Sequence, residues 1–266
     1  MEWLGAPLAV KSGGTGTNLP VASSNCRLVY SSSSQITLKP FNGNQIWIAD
    51  SWVTIPSSGV NLANTGLTQS TLYYIYAYIS SGNITLEAST TSHVTNTTYG
   101  HETKSGDATR TLVGMVYTDT GSPGVFVDTA AKRRVASWYN RPNRNLAGTF
   151  STGSLTATSF TEINSANRVD FVGWADSIMD VSTTGSGSSN ASQAYIATAF
   201  AIDSTTAAVG NGATSTSPAA NNQQPVPVRY SALLSEGYHY ITIVGQVQGG
   251  TTGTWSVGTF GTISNG

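Results

Sequence analysis

Charge is what this sequence has least of. Asp, Glu, Lys and Arg make up 9% of its 266 residues, against about 25% in ordinary soluble domains. Twelve basic residues stand against 13 acidic ones, a formal net charge of −1. Phosphate-driven recognition needs clustered Lys and Arg, so nucleic acid is not an expected partner. The one concentrated basic stretch is Lys132-Arg133-Arg134, with Arg141 and Arg144 close behind; it reads as a solvated strand end or a partner contact. Cysteine is nearly absent as well. Cys26 stands alone, which rules out an intramolecular disulfide, and no Cys/His pair has metal-ligand spacing. It opens the apolar run Cys26-Arg27-Leu28-Val29-Tyr30, as a buried structural thiol would. The histidines His93, His101 and His239 are dispersed, and a separation of eight between the first two is a poor metal motif. No metal and no cofactor are expected. Long hydrophobic runs are missing too, so membrane insertion is not expected. The N-terminus carries Glu2 and no basic n-region, which does not read as a secretion signal. A chain made in a cytoplasm yet composed like an exterior protein suits a virion component.

Serine, threonine, asparagine and glycine fill the space that charge leaves, threaded between short runs of Val, Ile, Tyr and Trp. A hydrophobic content of 39% is enough to bury a core, so the hydroxyl richness does not signal disorder. Residues 1–20 read as an irregular leader ending near Gly13-Gly14-Thr15-Gly16. That stretch lacks the spacing of a phosphate-cradling loop. From Cys26 to Trp138 the signals are β. Gln35–Lys39 alternates, Asn42-Gly43 turns, and Leu72–Ile79 is the strongest strand, turning at Ser81-Gly82-Asn83 into Ile84–Ala88. Thr111–Tyr117, Val125–Val127 and Val135–Trp138 add strands. Arg141-Pro142-Asn143-Arg144-Asn145 marks a boundary. Beyond it Arg168–Trp174, Ala194–Ile202 and Tyr238–Val247 are strands, with Thr183–Asn190 and Gly210–Pro225 expected as exposed loops. The run from Tyr238 to Val257 reads as a terminal hairpin. No segment holds helical periodicity over ten residues. The expected fold is all-β: two antiparallel β domains, at 21–141 and 146–266, the second a jelly-roll-like sandwich.

Several segments, in order, resemble bacteriophage tail-fibre and spike proteins, including those of phage-like gene transfer agents. The leader ends in SGGTG, Ser12 to Gly16, as many tail-fibre leaders do. From Cys26 to Arg141 the succession CRLVY, ITLKPFNGNQIWI, IPSSGVNLANTGL, TLYYIYAYI, LEASTTSHVT, GDATRTLVGMVYT and RRVASWYNR is similar to a module of phage fibres and spikes. Near the C-terminus, LLSEGYHYITIVGQVQGGTTGTW resembles the closing strands of jelly-roll heads in trimeric virion proteins. The resemblance implies a virion-surface fibre or spike subunit with its N-terminus toward the particle. Trp3, Leu4, Pro7 and Leu8 would make the attachment to other virion structural proteins. It supplies no ligand-binding positions.

For catalysis, polysaccharide-cleaving spikes need carboxylate pairs. Asp170, Asp176 and Asp180 lie near one another in sequence, and Glu236 lies near His239, but hydrogen bonding to turns explains such residues better. No Gly-x-Ser-x-Gly elbow is present. The chain reads as a non-enzyme. Sugars offer apolar faces that stack on Trp and Tyr and hydroxyls that need neutral partners, and the chain is rich in both. Trp47, Trp52, Tyr74, Tyr76 and Trp174 are expected in core or inter-subunit packing. Trp255 and Tyr238, with Asn211, Asn221 and Asn222, are the candidate sugar contacts. The expected function is recognition of host surface polysaccharide by a homo-oligomer, most simply a trimer, on the virion surface. A capsid decoration or head-fibre protein without receptor binding is the alternative, and a polysaccharide depolymerase the second.

Overall fold

The computed structural model describes residues 24–265. The leader, with Trp3, Leu4, Pro7 and Leu8, lies outside the described residues. Within them the chain is nearly all strand, and the single helical element is one 3-10 turn at Ser165–Asn167.

Period-two alternation builds the first domain. In the strand Leu72–Ser80, Tyr73, Ile75 and Ala77 point to one core, while Tyr74 and Tyr76 point to another. A strand covered on both faces needs apolar or aromatic residues at nearly every position, which is why Leu72–Ile79 reads so strongly. It sits between Asn83–Ser89 and Asp107–Tyr117, in a six-stranded sheet completed by Glu102–Lys104, His93–Thr95 and Val135–Ser137. A three-stranded sheet of Cys26–Ser32, Gln35–Pro40 and Val60–Ala63 covers one face. Leu28, Ile36 and Leu38 from that sheet meet Ile75, Val113 and Val116. The hairpin Gln45–Ile48/Ser51–Thr54 adds Ile46 and Ile48. Trp52 on this hairpin is 46% exposed rather than packed, touching Trp47 edge-on at 5.3 Å. Cys26 is fully buried, and burial pushes its thiol up to about 12, an inert structural group. Val125–Val127 is no strand; Val125 makes an isolated bridge to Asp119, and Phe126 turns away to bond Ser33.

The second domain is a sandwich of two six-stranded sheets. Lys132–Arg133, Val169–Gly173, Gly237–Val247, Tyr195–Ile202 and Ala208–Thr216 run in that order in one, with Thr161–Glu162 alongside Gly237–Val247. The other is built on the long antiparallel pair Ser177–Ser189 and Gly253–Asn265, flanked by Arg144–Ala147, Ser151–Leu155, Gln224–Pro225 and Val228–Leu233. Phe171, Phe200, Ile241 and Ile243 of the first sheet pack on Val181, Val257 and Trp255 of the second.

Three expectations fail here. Thr183–Asn190 is strand as far as Ser189, not an exposed loop, and Thr183, Ser188 and Ser189 are buried. Gly210–Pro225 is strand as far as Thr216 and loop only from there to Gln223. Gly237–Val247 and Gly253–Asn265 do not form a hairpin: each pairs within a different sheet, and residues 248–252 cross between them. Trp255 is fully buried between the two sheets, and its indole nitrogen donates to Thr198 Oγ1 at 2.8 Å. A Cβ at Gly253 would lie 2.6 Å from this ring, at Gly245 2.8 Å and at Gly187 3.0 Å. Gly187, Gly245 and Gly253 thus form a slot for one large ring.

The chain crosses the domain junction more than once. Lys132–Arg133 pairs in parallel with Asp170 and Phe171 of the second domain, the one parallel pairing among the described strands. Val135–Ser137 then returns to the first domain beside Gly114–Val116, and Arg144–Ala147 enters the second sandwich. Tyr76, Leu112 and Met115 meet Val172 and Trp174 across this boundary. Tyr117 stacks on Tyr238 with centroids 3.8 Å apart.

Candidate functional site

Strand directions place the loops of the second domain. Ser177, Gly237 and Asn265 begin or end strands at the junction end. Ser189, Thr216, Val247 and Gly253 therefore lie at the opposite end, joined by loops at 156–160, 190–194, 217–223 and 248–252. These loops are tied to one another. Asn190 and Thr252 exchange two hydrogen bonds at 2.9 and 2.8 Å, and Gln193 N–H donates to Ser217 O at 2.8 Å. Asn221 N–H donates to Ser189 O at 2.6 Å, and Val247 N–H to Ala157 O at 2.9 Å. Asn221 has φ 61°, the left-handed region that Asn tolerates best after Gly.

This tip carries no Asp, Glu, Lys, Arg or His in any of its four loops. It presents instead the exposed carboxamides of Asn190, Gln193, Asn221, Asn222, Gln223 and Gln248. Each amide offers donors and acceptors without charge, on backbone that neighbouring loops hold in place. Asn221 and Asn222 are thus brought together with four amides that sequence reasoning passed over; the signal was the amide density of Asn221-Asn222-Gln223-Gln224.

The other candidates separate. Trp255 does not reach the surface, being the core of the sandwich. Tyr238 is at the junction end, where it is half-buried against Tyr117 and burial pushes its hydroxyl up to about 12. Asn211 is exposed, but on the edge strand Ala208–Thr216 at a bulge partway along the sandwich.

The junction gathers a dense cluster of charge. Arg134, only 6% exposed, makes a two-pronged pair with Asp170 and lies 3.0 Å from Asp119. Burial tends to raise the Asp119 carboxyl, but Lys132, the Thr120 N–H and Arg134 outweigh it and hold it at about 2. Arg144 donates to the carbonyls of Arg133, Val135 and Val172. The basic stretch is therefore mortar between domains and not a solvated strand end.

His93 is clamped there between two carboxylates, with Nδ1 2.6 Å from Glu102 and Nε2 3.1 Å from Glu236. Tyr74 donates to Glu236 at 2.9 Å. The bond to Glu236 raises the His93 pKa, against burial and with help from Glu102. Burial tends to raise the Glu236 carboxyl, but His93 and Tyr74 bring it below the ordinary range. Glu236 thus partners His93, and the nearby His239 pairs with Asp203 at 2.6 Å. Asp170, Asp176 and Asp180 each face a different arginine: Arg134, Arg141 and Arg229. No two of them act as a pair. Among the described residues no group of three or more His, Cys, Asp or Glu is placed to hold a metal ion. No helix among them is long and apolar enough to cross a membrane.

No family model matches the chain, and no curated protein matches it. Among solved structures, an insecticidal delta-endotoxin from Bacillus thuringiensis aligns at 10% identity with a TM-score of 0.30, over 91% of this chain and 52% of that one. A structure of infectious bursal disease virus, Gx strain, aligns at 13% identity and TM-score 0.32, over 91% and 71%. An exo-β-1,3-galactanase from Phanerochaete chrysosporium, solved with galactose, aligns at 12% identity and TM-score 0.21, over 91% and 57%. The chain spans about half the length of the endotoxin.

Proposed function

We propose that this protein is a non-enzymatic fibre or spike subunit of a virion surface that recognises host polysaccharide through the far end of its second domain. The observation that carries the reading is the tip itself, four interlocked loops with six exposed carboxamides and no charge. Neutral sugar hydroxyls need partners of that kind, which can donate and accept without the desolvation cost of an ion. The first domain and the charged junction act as a fixed shoulder behind the tip. Residues 1–20 attach to the particle. Single sites of this sort are weak, so the subunit works as a homo-oligomer, most simply a trimer, in which several tips give avidity.

The test is binding of the full chain to immobilised host polysaccharides, with the double variant Asn221→Ala/Asn222→Ala beside it. Saturable binding that is insensitive to salt between 50 and 500 mM (chosen roughly to span the range over which ion pairing is screened) and falls at least about tenfold in the variant supports the reading. Binding that the variant leaves unchanged, with its melting curve intact, sinks it in favour of a capsid decoration protein.

A further inference from the structure

A second recess, unlike the tip in every chemical respect, opens on the domain junction. It has a volume of about 350 Å³ and lies between the first strand, Cys26–Ser32, and the segment that links the domains. Arg27, Arg133, Arg141 and Arg144 line it, with Asp128 as the one carboxylate in the lining. In a chain with 12 basic residues, a third of them meet here.

Most of their anchors are neutral. Arg27 Nε donates to Asn140 O at 2.8 Å, and its guanidinium lies 3.7 Å over the Phe41 ring. Arg133 Nε donates to Asn145 O at 2.9 Å. Arg144 is held by the three backbone carbonyls already described. Arg141 donates to Trp138 O and pairs with Asp176. Carbonyl acceptors orient a guanidinium without neutralising it, so the positive field of the recess survives the anchoring. Asp128 answers part of it. Its Oδ2 pairs with Arg133 at 3.7 Å, beyond hydrogen-bond length, and its buried Oδ1 has no hydrogen-bond partner among the described residues. Tyr30, 39% exposed, stands in the lining beside Leu28 and Pro142, on the opposite face of the first strand from Arg27.

We infer that this recess binds a sugar carrying a carboxylate, its anion held by the arginines of the linking segment and its ring face laid on Tyr30. A planar guanidinium matches a carboxylate with two parallel hydrogen bonds, and the volume falls at the small end of ligand sites. An aromatic rim selects a ring over a bare anion. This site is independent of the tip: it reads acidic sugar where the tip reads neutral sugar, and the two differ in salt response.

The experiment is titration of the full chain with glucuronic acid, glucose and inorganic phosphate, followed by ligand-observed NMR. Glucuronic acid is expected to bind, at least about tenfold more tightly than glucose and more weakly as salt rises. Arg133→Gln and Tyr30→Ala should each lower its affinity by about tenfold, with unchanged melting curves. Arg141→Gln serves as a second charge removal should Arg133→Gln fail to fold. Equal binding of glucose and glucuronic acid overturns the inference, as does glucuronic acid binding that neither arginine variant affects. Phosphate binding as tightly as glucuronic acid, with no effect of Tyr30→Ala, overturns the sugar assignment and leaves an adventitious anion site only.

Discussion

At the residue scale Trp255 decides the packing of the second domain. Its ring is flanked by Gly187, Gly245 and Gly253, and its one polar atom is satisfied by Thr198. Trp255→Ala is expected to cost about 3–5 kcal/mol, because it opens a cavity and strips a buried hydroxyl of its partner. Gly245→Val should cost about 1–3 kcal/mol by overpacking the same slot from the other side. Urea melts followed by circular dichroism check both. A wild-type midpoint for Gly245→Val would show that the slot yields. Here the sequence misleads for a definite reason. Glycine in a strand signals either a turn or a close neighbour, and for Gly187 the distinction rests on a ring 68 positions further along the chain, outside the reach of local pattern. The alternation of Gln35–Lys39 needs no such partner, and it was legible.

Within elements, the strand His93–Thr95 shows a titratable link between domains. The folded-state pKa of His93 lies above the unfolded value of about 6.5. Its contribution is therefore complete below about pH 6.5 and lost as pH rises through the elevated value. Glu236 has the opposite sign: its depressed pKa gives stability above the ordinary carboxylate range near 4.3, lost as pH falls through the folded value. The clamp is tightest between those limits. His93→Gln should cost about 1.5–3 kcal/mol at pH 6 and flatten the fall in melting temperature between pH 6 and 8. A variant that keeps the wild-type pH slope would assign that slope to another group. Arg134→Met leaves Asp170, 8% exposed, as an unpaired buried charge and should destabilise by about 3–5 kcal/mol; thermal melts of that variant measure it. Neither contact could be read from the chain, since His93 and Glu236 lie 143 positions apart. Sequence proximity favoured Glu236 with His239, three residues away, but Glu236 lies in the bend before the strand Gly237–Val247 and His239 turns to Asp203.

At the scale of the whole molecule the two β domains were foreseen, yet the boundary near Arg141 conceals how they interlock. Lys132–Arg133 belongs to the second domain's sheet although it precedes a strand of the first. A fragment of residues 146–266 would lack that strand and would bare Val172, Trp174 and Tyr238. It is expected to bind a hydrophobic dye and to melt below the full chain, which should unfold in one transition. Two separate transitions in the full chain, and a dye-silent fragment, would contradict this. The crossing at 132–147 also has a mechanical meaning. A tug on the tip does not fall on a single tether between domains. It is shared among a parallel strand pair, the Arg134 and Arg144 anchors and a stacked pair of tyrosines, which must shear together before the domains part. A joint of that kind transmits load as a lap splice does, so an appendage built on it would bend at its attachments before it came apart at its middle.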